Sequence, residues 1–170
     1  QLDWATSFSK TLELELINSK IIKCLIMKLI TIVYELEDND TLVDAWIQVY
    51  KLCIPQLELD YIIEEIIPKL FPYHSLKETL KHRLWSSDML LEISWVYGEE
   101  SFNKESKLLN ISYSAWEDIN WKIRKLGANR LRRIIPNAQK AISENSGIYN
   151  TYIEKLEELM TDEENFVKLE

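Results

Sequence analysis

Three small residues, Ala45, Ser86 and Gly127, stand 41 positions apart, and each opens the same short pattern of apolar side chains. Four positions on come Val49, Leu90 and Leu131, and three further on come Leu52, Ile93 and Ile134. Arg83 and Arg124 share the offset. A small residue with apolar ones at +4 and +7 places all three on one side of a helix, the small one where a neighbouring helix comes close. Recurrence at a fixed interval means equivalent units, and no such unit can bury its apolar face without the next one.

Helices are the expected currency of those units. Only three Gly and four Pro interrupt the 170 residues, too few for the turns a sheet protein needs. Leu16, Ile17, Ile21, Cys24, Leu25, Lys28, Leu29 and Ile32 follow helical spacing and predict an apolar stripe on one side of a first helix. The run Glu37-Asp38-Asn39-Asp40-Thr41 supplies capping side chains and first-turn acids to the next helix, patterned by Leu42, Ala45, Trp46, Val49 and Leu52 and closed by Pro55. Second helices are expected over Tyr61 to Leu70, around Phe102 to Leu109 and over Ile148 to Met160. Another start is expected at Glu164 to Lys168, where Val167 corresponds to Ile123.

The prediction is an all-α chain of about four helical hairpins, at 1–37, 38–74, 75–114 and 115–162, with a further repeat starting over 163–170. Hairpins of this kind stack side by side into an α-α superhelix. A chain that opens at Gln1 and stops inside a new apolar pattern at Glu170 reads as a segment of a longer array.

The period of about forty, the Asp/Asn-rich turn before each first helix and the Val-Arg/Lys opening of that helix resemble HEAT repeats, a solenoid of the armadillo type. Tyr61-Ile62-Ile63-Glu64-Glu65-Ile66-Ile67-Pro68-Lys69-Leu70, followed by Leu80-Lys81-His82-Arg83-Leu84, resembles a junction between repeats of phosphatase 2A scaffold subunits. Asp118-Ile119-Asn120-Trp121-Lys122-Ile123-Arg124, with Leu156-Glu157-Glu158-Leu159-Met160 and Phe166-Val167-Lys168, is similar to the same family. The order of elements, including Asp44-Ala45-Trp46, looks most like phosphatase 4 regulatory subunits. The similarity spans roughly residues 40 to 170. It implies a non-catalytic scaffold or regulatory subunit that binds a serine/threonine phosphatase catalytic subunit along the ridge of turns joining the helices. The departures are the aromatic load of Trp85, Trp95, Trp116 and Trp121, and the stretch Ser101 to Ser112, which fits a second helix poorly.

Charge and residue chemistry narrow the function from another side. A net charge of −8 opposes binding to nucleic-acid backbones or anionic lipid, which depends on Lys and Arg displacing counterions. No stretch reaches the ~20 apolar residues that span a bilayer. Cys24 and Cys53 lie in apolar helical patterns and are expected as buried free thiols, which suits a cytoplasmic or nuclear setting. His74 and His82 are the only histidines, and on this reading neither has a Cys, Asp or Glu at metal-ligand spacing on a shared helix face. Nucleophile elbows and clustered glycines are missing. Glu64-Glu65, Glu99-Glu100, Glu157-Glu158 and Glu163-Glu164 are neighbours whose side chains diverge by about 100° on a helix, so they read as solvated faces. No catalytic, metal or cofactor site is expected, and no small-molecule substrate.

One region is sharply polarised. Lys122, Arg124, Lys125, Arg130, Arg132, Arg133 and Lys140 precede Glu154, Glu157, Glu158, Asp162, Glu163 and Glu164. Two readings stand: the basic and acidic helices pair with each other, or Arg130 and Arg133 face outward to dock an acidic partner segment through their bidentate forks. An adaptor of transport or chromosome-associated complexes, meeting acidic cargo or nucleic acid through Lys122 to Arg133, is the alternative to the phosphatase scaffold. Trp46 and Trp85 are expected in packing between helices, with an exposed contact anchor as the other possibility.

Overall fold

The computed structural model describes residues 7, 19–36, 39–104, 106–130 and 146–168. Among them every regular element is helical and no strand occurs, so the chain is all-α. In chain order the helices are α1 (Ser19–Glu35), α2 (Asp40–Cys53), α3 (a helical run over 59–74), α4 (Leu80–Lys104), α5 (Ser106–Trp116), α6 (121–130), α7 (Ser146–Met160) and α8 (Asn165–Lys168).

The interval read from the sequence reappears where helices begin. Residues 40, 80, 121 and 165 open α2, α4, α6 and α8, and polar side chains sit at each start. Asn39 accepts from the Leu42 amide at 3.1 Å, Thr79 from the His82 amide at 3.2 Å, and Asn120 from the Lys122 amide at 3.0 Å. Each serves an amide of the first turn, for which the helix supplies no carbonyl four residues back. Asp118 and Asp162 make the same bond two residues on, to the amides of Asn120 and Glu164.

The chain divides within α4 into two compact units, Gln1–Met89 and Leu90–Glu170. In the first, α1 packs on α2. The stripe that α1 buries is Ile22, Ile26, Leu29, Ile30 and Val33. This corrects the expected phase: Ile21, Cys24 and Lys28 are exposed. The helix is apolar on more than one side, and the face free of lysine is the one that goes inward. Cys24 is thus an exposed thiol, whereas Cys53 is buried and its thiol is pushed up to about 12 by the loss of solvent.

Pro55 turns the chain out of α2 as expected, through a short 3-10 turn at Ile54–Gln56. In α3 a second proline leaves its mark. Pro68 has no N–H and its ring would strike the carbonyl four residues back, and the preceding turn, Ile62–Ile66, widens to i→i+5 bonding. Ile62, Ile66, Ile67 and Leu70 remain buried along that run. The Tyr50 hydroxyl donates to the Met89 carbonyl at 3.0 Å, and Lys51 pairs with Asp88 at 2.7 Å, so α2 and the opening of α4 are tied twice.

In the second unit, Gly98 takes φ 50° and ψ −129°, a backbone that side-chain-bearing residues rarely adopt, and this breaks α4. Helix resumes over 99–104, and α5 runs from Ser106 to Trp116, so helix is present on both sides of residue 105 where a second helix is expected around Phe102 to Leu109, and α5 crosses the expected boundary at 114. Its serines are not misplaced. Buried Ser101 and Ser112 donate to the carbonyls of Gly98 and Leu108 at 2.7 and 3.2 Å, so the helix itself satisfies their hydroxyls.

The small-residue column is buried at two of its three positions. Ser86 is fully buried and donates to the Arg83 carbonyl, while Gly127 lies against Trp116. A Cβ at residue 127 would sit 2.6 Å from the Trp116 ring carbon Cδ1. Ala45 is half-buried. Val49, Leu90 and Ile93 are buried and Leu52 is half-buried, whereas Leu131 and Ile134 fall outside the described residues. Trp46 and Trp85 are both core residues rather than exposed anchors.

Candidate protein-contact edge

The turns 117–120 and 161–164 are fastened together by one arginine. From α6, Arg124 donates through Nε and Nη2 to both carboxylate oxygens of Asp162, at 2.7 and 2.9 Å, and through Nη1 to the carbonyl of Asp118 at 3.0 Å. Three segments thereby share one guanidinium. The hydrogen bond from Arg124 holds the Asp162 carboxyl below the ordinary aspartate range, and the same bond raises the guanidinium above its own. On the adjoining flank, Lys155 of α7 reaches Glu117 at 2.6 Å and Glu158 at 2.7 Å, with the Glu117 bond the larger cause of its raised pKa.

On this fixed base stands a set of apolar groups. Ile119 is 79% exposed and Phe166 57% exposed. The ring of Trp121, half-buried, stacks on Phe166 with centroids 5.5 Å apart. Lys122 lies over the Trp121 ring at 5.9 Å, and Lys125 over the Phe166 ring at 5.8 Å. The result is an apolar and aromatic platform with cationic edges, held by an ion pair behind it. Such a surface offers rigid aromatic contact area and ammonium groups for carboxylates, which is the chemistry of protein contact.

Of the two readings of the polarised region, Arg124 and Asp162 follow the paired one. Arg130 follows neither in the form expected. It is 7% exposed, and its Nη1 sits 2.8 Å from a carboxylate oxygen of Glu92 in α4, so it is a core ion pair and does not face outward to a partner. A guanidinium enclosed by helices needs a carboxylate at hand, and Glu92, itself buried, supplies it. Arg132, Arg133 and Lys140 lie outside the described residues.

His82 meets Glu78, four residues earlier, at 3.1 Å. Glu78 lies in the turn before α4 and the pair completes no three-ligand group among the described residues. The imidazole instead packs edge-on against Tyr34 and Tyr73, whose rings stack at 3.5 Å, and lies beside Trp85. His74 contacts Ser87 at 2.9 Å. Glu64, Glu65, Glu157 and Glu158 are exposed, as neighbours on solvated faces should be.

Ile119 and Phe166 were not singled out as contact residues by sequence. The available signal was their position: each is apolar, directly beside a capping turn, where the backbone bonds to side chains at the surface. Comparison with protein-family models, with curated proteins and with solved structures finds no match to this chain.

Proposed function

We propose that the chain is a non-enzymatic helical-repeat scaffold of the HEAT type, whose turn edge holds a serine/threonine phosphatase catalytic subunit. The supporting observation is the set Ile119, Trp121 and Phe166, with Ile119 and Phe166 exposed, in and directly after the turns that Arg124 and Asp162 clamp. Helix starts at residues 40, 80, 121 and 165 support the repeat reading, as does the close passage of Gly127 under Trp116. Stacked hairpins would present such turns as a continuous ridge, and stacking makes the ridge stiff enough to fix a bound domain. The phosphatase comes from the resemblance of Asp118 to Arg124 and Tyr61 to Leu70 to scaffold subunits of that enzyme class.

The test is retention of purified phosphatase 4 and phosphatase 2A catalytic subunits on the immobilised chain, beside an I119D/F166D variant with unchanged helical circular dichroism. Capture by the parent and at least tenfold weaker capture by the variant is the expected result. A parent chain that retains neither catalytic subunit would refute the assignment.

A further inference from the structure

The exposed side of α7 has the opposite character. On α7, Ile153, Glu157 and Met160 follow i, i+4, i+7 spacing and are all exposed, Met160 to 65%, with Glu154 exposed beside Ile153. The other side of α7 carries buried Leu159 and the Lys155 that is joined to Glu117. So one surface of the second unit is apolar with a carboxylate centre, and another is apolar with lysines a single helical turn apart, Lys122 and Lys125. Apolar residues left exposed on both, with charges of opposite sign among them, are complementary in the two terms that govern docking.

We propose that the turn edge of one copy seats the outer face of α7 from a second copy of this chain. Ile153 and Met160 lie on Ile119 and Phe166, while Glu154 and Glu157 approach Lys122 and Lys125. The charge of the whole chain, −8, opposes association, so the attraction is local and is weakened by salt. The two surfaces differ, so the contact is head-to-tail unless two copies exchange both at once about a twofold axis. The inference rests on reading the turn edge as a protein-contact surface, and it adds that a catalytic subunit and a second copy compete for it.

Sedimentation equilibrium of the full chain at low ionic strength reads the outcome. The weight-average mass is expected to rise above the 20.2 kDa of one chain as concentration increases and to fall back on adding salt. K122E/K125E and E154K/E157K should each stay at the single-chain mass, and mixing the two should restore association, because each then carries the charge the other needs. I153D/M160D tests the apolar half in the same way, and circular dichroism confirms that each variant keeps its helices. A parent that remains at the single-chain mass at every concentration overturns the proposal, as does association that the charge variants leave unchanged. A chain that stays single yet retains the phosphatase catalytic subunit removes the self-contact and leaves the scaffold reading in place.

Discussion

Gly127 shows what one missing methyl group permits. A Cβ there would meet the Trp116 indole at 2.6 Å, well inside contact distance. Gly127→Ala therefore forces the ring or the helix to move and is expected to cost about 1–3 kcal/mol in thermal unfolding. Trp116→Phe in the same chain should recover part of that loss, because the smaller ring leaves room; strictly additive effects would show that the two do not touch. Asp162 is the other residue that bears weight. Its carboxyl is held below the ordinary range by Arg124, so its stabilisation is fully present above the unfolded aspartate value of about 4 and is lost as pH falls through the lower folded one. Asp162→Asn should lower stability near neutral pH by about 1.5–3 kcal/mol, the range for hydrogen bonds to charged groups. It should also flatten the acid limb of the stability profile; an unchanged limb would assign that limb to other carboxylates.

Between helices, the pair Glu92 and Arg130 ties α4 to α6 inside the second unit. Glu92→Ala leaves a buried guanidinium without its carboxylate and should destabilise by about 3 kcal/mol in denaturant unfolding, whereas Glu92→Leu with Arg130→Met should come close to the parent. If the double replacement is no better than the single one, Arg130 owes its place to other contacts. This pair also marks a limit of the sequence. A basic run predicts charge but not direction, and α6 turns Arg130 inward and Arg124 toward a turn. Periodicity was legible where one face alone is apolar, as in α2, whose start at Asn39 and stop at Pro55 follow from capping and from proline's missing donor. It misled in α1, where apolar residues lie on more than one side and the burial phase depends on what the neighbour covers. The stretch Ser101 to Ser112 read as a poor second helix because composition does not reveal that a buried hydroxyl can bond the carbonyl one turn back, as Ser101 and Ser112 do. The candidate contact edge was the least legible part, since it is defined by the exposure of Ile119 and Phe166, which only the packed chain sets.

For the molecule as a whole, net charge separates the rival functions. In this acidic chain Lys122 and Lys125 lie over aromatic rings and Arg124 and Arg130 are paired with Asp162 and Glu92, which leaves that basic stretch fewer cations to displace counterions from a phosphate backbone. Duplex DNA should show no retention at physiological ionic strength in fluorescence anisotropy. Tight binding that falls steeply with salt would instead favour a chromosome-associated adaptor acting through Lys122 to Arg133. The two thiols described earlier carry a practical corollary. Cys53 is enclosed and reluctant to ionise, Cys24 is open to solvent, and only a thiolate attacks an alkylating reagent. Under native conditions the protein therefore offers a single reactive handle, on the outward side of α1, where a dye or spin label can be attached without disturbing the core.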